Sequence, residues 1–100
     1  MVTVEIGEIT ESLNLRWIRT SGTVTKTHVM RHSLGGHVAD FTIASDGKEV
    51  RATVLRELYA NVQDILHLGA KVSVKGTVRI RDGREHFIIL LCEEIGLPQE

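Results

Sequence analysis

The chain has 100 residues, 42% of them apolar and 25% charged, which is the size and make-up of one globular domain that can bury its own core. One cysteine, Cys92, excludes an internal disulfide and a four-cysteine zinc site; one proline and nine glycines exclude a collagenous or disordered chain. The formal net charge of −1 hides an uneven distribution, because all twelve Lys and Arg lie between Arg16 and Arg84 while six of the thirteen acids sit at the two ends.

Residues 12–92 carry twelve bases against seven acids, an excess of five. Such asymmetry hints at an anionic partner, although a surplus of this size is, taken alone, that of an ordinary solvated surface. No apolar run approaches the ~20 residues of a membrane-spanning helix. The first residues lack a basic segment followed by an apolar one, so no signal peptide is expected. The expectation is a soluble, cytoplasmic domain with no membrane partner.

In chain order, residues 2–13 form a weak lead-in with Ile6, Ile9 and Leu13 at helical spacing. Residues 15–29 are rich in Thr, Val and Ile, with Gly22 in the middle. β-branched side chains suit a pleated, half-buried surface, and a glycine inside a strand marks a bulge or bend. Ser33-Leu34-Gly35-Gly36 reads as a loop. Ala39, Phe41 and Ile43 then alternate with Asp40 and Thr42. After Asp46-Gly47, Val50, Ala52 and Val54 alternate with Arg51 and Thr53. An Asp-Gly pair between two alternating runs predicts a tight hairpin, because both turn residues tolerate positive φ.

Leu58, Val62, Ile65 and Leu66 fall at i, i+4, i+7 and i+8, the pattern of a helix with one buried face. Gly69 is its expected stop, with His67 in the last turn. Val72, Val74, Val78 and Ile80 mark a fourth strand interrupted by Gly76, and Asp82-Gly83 a second hairpin turn. The fifth strand runs from about His86 to Ile95 with both faces apolar: Phe87, Ile89 and Leu91 on one, Ile88, Leu90 and Cys92 on the other. After Gly96-Leu97-Pro98 the chain is expected to fray.

The order is therefore β-β-β-α-β-β. It predicts an all-β fold, a five-stranded Greek-key OB-fold barrel with one helix between strands three and four plugging one end. An SH3-like barrel is the alternative, and the helix before the fourth strand favours the OB-fold. Ile18-x-Thr20-x-Gly22-x-Val24 and Val72-x-Val74-x-Gly76-x-Val78 share one spacing. Each long strand must bend to serve both halves of a small barrel, and a Cβ at the bend would crowd its neighbour. Residues 1–100 are read as a single domain with its core at about 13–96, and the acidic, weakly structured ends fit a domain cut from a longer chain.

On four stretches the sequence resembles the OB-fold nucleic-acid-binding domains of the anticodon-binding and replication-protein-A-like type. They are the Gly22 strand, Phe41-Thr42-Ile43-Ala44-Ser45-Asp46-Gly47, the segment from Val54 to Gly69, and Val72-Ser73-Val74-Lys75-Gly76-Thr77-Val78. The resemblance covers roughly Ile6 to Ile95. It implies that single-stranded DNA or RNA binds across the second and third strands, flanked by the loops between strands one and two and between strands four and five. Those regions are residues 38–44, 49–55, 29–37 and 81–86.

Both loops are basic. The first carries His28, Arg31, His32 and His37, with Lys26 at its entrance; the second carries Arg79, Arg81, Arg84 and His86. Two basic loops on one side of a barrel make a positive groove that tracks a phosphate backbone, in a sequence-tolerant and salt-sensitive manner. Hairpin tips are also charged simply because they are solvated. The face between the loops offers Thr42, Arg51 and Thr53, with Asp40 and Glu49 repelling phosphate.

Binding of single strands draws on aromatic platforms, and this chain has four aromatic residues. Phe41 and Phe87 lie in apolar alternation and are read as core, and Tyr59 is on the helix. Trp17 is out of phase with Ile18, Thr20 and Val24, so it is expected to face outward, to stack on a base, to meet an apolar partner, or to cover the barrel end. Binding is therefore expected to be modest.

His28 and His32 are four apart, and His37, His86 and Cys92 are further zinc-type donors. That spacing pairs ligands on a helix, and this segment reads as strand end and loop, so no metal and no cofactor are expected. No nucleophile elbow and no glycine-rich phosphate loop is present, so no catalytic residues are assigned and the domain is not expected to be an enzyme. The doubly apolar fifth strand offers a second reading. Its extra face is either covered by the lead-in or the helix, or forms a patch for a protein partner, another domain of the same chain or a second copy.

Overall fold

The structure, a computed structural model, describes residues 2–31, 33–82 and 86–98, with Arg56 and His86 given by their backbone alone. In chain order the elements are β1 (Val2–Thr3), two 3-10 turns (Ile6–Glu8 and Glu11–Leu13), β2 (Trp17–Arg31), β3 (His37–Ser45), β4 (Lys48–Val54), α1 (Arg56–Val62), β5 (Lys71–Asp82) and β6 (His86–Gly96). β2 to β6 are the five strands that the alternation predicts. They pair in the order β2-β3-β4-β6-β5, and β5 returns to β2 to close the ring. Within the ring only β4 and β6 run parallel. This is the OB-fold barrel. β1 is an addition to it, a two-residue strand lying parallel to β2 at Ile18 and Arg19.

Closure depends on two strands that each serve two neighbours. The first half of β2, up to Thr23, pairs with β5, and the second half, from Thr23 onward, pairs with β3. The change of partner falls beside Gly22. A Cβ there would lie 2.7 Å from Ile6 Cδ1 and 2.9 Å from the Ala44 carbonyl oxygen, closer than real Cβ contacts come. Gly76 does the same for β5. A Cβ on it would fall on the Leu91 carbonyl, 2.8 Å from its carbon, beside a register shift between Lys75 and Gly76.

The Asp46-Gly47 turn also forms as expected. Both residues have positive φ, 52° and 75°, and Ser45 pairs with Lys48 across it. This is the primed turn that matches strand twist. β5 and β6 meet at Asp82 and His86; Gly83 of the second predicted turn lies outside the described residues.

Inward-facing Ile18, Val24, Ala39, Phe41, Ile43, Val50, Ala52, Val54, Val72, Val74, Val78, Leu90 and Cys92 fill the barrel, and Val62 and Leu66 join them. Ile6 of the lead-in is also in the core. The lead-in achieves this with 3-10 turns rather than the helix that its spacing suggested.

The helix is shorter than its apolar pattern. It ends at Val62, the Ile65 amide bonds the Val62 carbonyl in a tighter turn, and His67 lies beyond the helix. The reason is tertiary. The Gly69 amide donates to the Val24 carbonyl, and the Val24 amide donates to the Ala70 carbonyl, both at 2.8 Å. The chain must leave the helix early to lay this segment against β2, and Gly69 reaches it with a φ of +86°. Among the described residues, no helix is long and apolar enough to cross a membrane.

One core position carries a mismatch. The Thr20 hydroxyl is fully buried with no hydrogen-bond partner among the described residues. A buried hydroxyl without a partner costs about 1–3 kcal/mol. Thr20→Val keeps the shape and removes the hydroxyl, and is expected to raise the unfolding free energy by about 1 kcal/mol in a urea melt. A loss of stability would show that the hydroxyl is satisfied.

Candidate nucleic-acid interface

The registers of the barrel line up outward-facing side chains from five strands. Lys26 of β2 pairs with Thr42, Thr42 with Arg51, Arg51 with Ile89, and Ile89 with Arg79. One ladder row therefore reads Lys26–Thr42–Arg51–Ile89–Arg79, with a cation on alternate strands. At a strand spacing of about 4.8 Å, successive cations stand roughly 10 Å apart. The next row reads His28–Asp40–Thr53–Leu91–Thr77. On the other side of the first row, Phe87 pairs with Arg81.

Lys26, His28, Asp40, Glu49, Arg51 and Phe87 line one groove of about 350 Å³. Beside it lies a depression of about 180 Å³ bordered by Thr53, Arg79, Arg81, Ile89 and Leu91. Between the two, the Thr53 hydroxyl donates to an Asp40 carboxylate oxygen at 2.8 Å, which ties that acid across β3 and β4.

Phe87 corrects the sequence reading. It is half-buried on the outside of the barrel and is not a core residue. On β6 the inward phase belongs to Ile88, Leu90 and Cys92, which pack with the core, so Phe87, Ile89 and Leu91 face out. The Arg51 guanidinium carbon stands 4.5 Å from the Phe87 ring centroid. That is cation–π distance, and a planar guanidinium also stacks on an aromatic face. The extra apolar face of β6 is thus bordered by Arg51, Arg79 and Arg81 from the neighbouring strands. Ile89, flanked in register by Arg51 and Arg79, is only 9% exposed. Long arginine stems cover apolar surface while their charges stay in water.

Of the residues singled out from sequence, the structure brings Lys26, His28, Thr42 and Arg51 to the groove, and Arg79 and Arg81 to its border. Arg31 and His37 pair at the far end of the β2–β3 hairpin, both exposed, with His37 6.2 Å from the Tyr59 ring of α1. Trp17 is 46% exposed, as its phase predicts, but it pairs with Thr77 two strands beyond Leu91. There the Lys75 ammonium sits 5.2 Å from its ring centroid and forms an ion pair with Glu94 at 3.2 Å. Trp17 therefore stands on a different part of the barrel from the Phe87 groove. His32 and Arg84 lie outside the described residues, and His86 opens β6 opposite Asp82.

No group of three or more His, Cys, Asp or Glu side chains able to hold a metal gathers among the described residues. Cys92 is buried and its thiol donates towards the Leu90 carbonyl. Burial pushes that thiol far above its ordinary pKa, against a smaller downward pull from a backbone hydrogen bond at Thr53. A thiol held protonated is a poor nucleophile and a poor metal ligand.

No family model matches the sequence, and no curated protein sequence matches it. Solved structures do match its shape. The second single-stranded DNA-binding protein of Mycobacterium smegmatis aligns with a TM-score of 0.74 at 17% identity, over 82% of this chain and 84% of that one. The small single-stranded DNA-binding protein of Streptomyces coelicolor aligns with a TM-score of 0.70 at 20% identity, over 85% of this chain and 94% of that one. A putative aspartyl-tRNA synthetase from Leishmania major aligns with a TM-score of 0.71 at 17% identity, over 93% of this chain but 20% of that one. At these identities the likeness is one of fold.

Proposed function

We propose that this domain binds single-stranded nucleic acid, DNA foremost, and catalyses no reaction on it. One observation carries the reading: the ladder row Lys26–Thr42–Arg51–Ile89–Arg79, with the Arg51–Phe87 stack beside it. The cations meet phosphates, which gives affinity without sequence information. The apolar stripe and the stacked pair take up base faces, which every base possesses. The two solved structures named as single-stranded DNA-binding proteins support DNA as the ligand. The arginines along both sides of the β6 stripe favour a polyanion over an apolar protein surface at this face.

Titration of labelled dT12 at several salt concentrations tests the reading. Binding is expected at low salt and to weaken steadily as salt rises. The double variant Arg79→Ala, Arg81→Ala is expected to lose about tenfold in affinity and to flatten the slope of log affinity against log salt by about 1.4, two phosphate contacts' worth on a single strand. Absence of binding at low salt, or binding indifferent to salt, overturns the reading. The same 12-mer as RNA decides whether the 2′-hydroxyl matters.

A further inference from the structure

Resting on that reading, the geometry points to a base-selective subsite in the groove, formed by the Glu49 carboxylate at the edge of the Arg51–Phe87 stack and fitted to guanine. Arg51 pairs with Ile89 in the parallel register of β4 and β6, and Glu49 and Phe87 each lie two residues before that pair on the same two strands. Both residues line the same groove. On its other side Glu49 pairs with Ala44, a residue with a small side chain. Glu49 is exposed and makes no hydrogen bond or ion pair among the described residues. An acid serves no purpose in a groove that only tracks phosphate, since it repels the backbone.

A purpose appears once a base occupies the stack. A base lying on the Arg51 guanidinium, which itself covers the Phe87 ring, presents its Watson–Crick edge outward from the stack, as unpaired bases do in single-strand recognition. An ionised carboxylate only accepts hydrogen bonds, at two oxygens. Guanine alone offers two adjacent donors on that edge, N1–H and the N2 amino group. Cytosine and adenine set one donor beside an acceptor, and thymine sets one donor between two carbonyls, so each places a lone pair against the carboxylate. Phosphates then follow Lys26 and Arg79, and the acid meets only the base.

Fluorescence anisotropy with dT12 and with a 12-mer alternating dT and dG tests the subsite. The guanine-containing strand is expected to bind about tenfold more tightly, in line with one bidentate contact. In Glu49→Gln this preference is expected to fall to about twofold or less, while dT12 binds more tightly than to the native protein because a repelling charge is gone. These opposite shifts are not what a merely structural effect produces. Equal binding of the two strands by the native protein, or a guanine preference that survives Glu49→Gln, overturns the subsite and leaves the single-strand reading standing. Failure to bind either strand overturns both.

Discussion

Gly76→Ala is expected to lower the unfolding free energy by about 3 kcal/mol or more, a large share of the ~5–15 kcal/mol that holds a domain of this kind together. The added methyl group would fall on the Leu91 carbonyl and within 3.0 Å of Cys92 Cα, both backbone. No side chain can swing away to make room. Relief requires β5 and β6 to part, and with them the Thr77–Leu91 and Gly76–Cys92 pairs that close the barrel. Gly22→Ala meets the mobile end of Ile6 first, so a smaller loss is expected there, limited by the Ala44 backbone at 2.9 Å. Urea melts of the two variants give the comparison. A Gly76→Ala loss below about 1 kcal/mol would mean that the strands are not closed as tightly as the register requires.

Phe87→Ala is expected to weaken binding of dT12 by about tenfold or more. Loss of one base-stacking platform removes about 1–3 kcal/mol, and each 1.4 kcal/mol is tenfold in affinity. Two further variants separate stacking from simple packing. Phe87→Trp keeps a π-face and is expected to retain affinity. Phe87→Leu keeps apolar bulk and is expected to behave like alanine in binding while melting close to the native protein. Equal affinity across all three variants would remove Phe87 from the interface. The retained affinity expected of Phe87→Trp would mean that the 4% aromatic share limits the proposed binding less than the sequence suggests, because one ring sits beside Arg51.

The barrel was legible in local signals, and the site only in part. Alternation around Phe41 and Val50, the Asp46-Gly47 turn and the paired mid-strand glycines each reflect a constraint within a few residues, and each appears in the structure. The helix overran because Ile65 and Leu66 keep helical spacing while serving the core from a tighter turn. Because β6 is apolar on both faces, the sequence alone puts Phe87 inward. Its phase is decided only by pairing with β4 and β5, which places Leu90 inside and Arg51 over the Phe87 ring. A usable signal was present in Arg51, Arg79 and Arg81, an excess of arginine on the strands that flank such a stripe. Trp17 shows the reverse case: its outward phase was legible, but its distance from the groove depends on how the ring closes.

Chemical-shift mapping of the isotope-labelled domain with dT12 tests the central claim most directly. Perturbations are expected at Lys26, Thr42, Arg51, Arg79, Phe87, Ile89 and Leu91, across the outward faces of β2, β3, β4, β6 and β5. Perturbations confined to Trp17, Lys75 and Glu94, or none at saturating oligonucleotide, would contradict it.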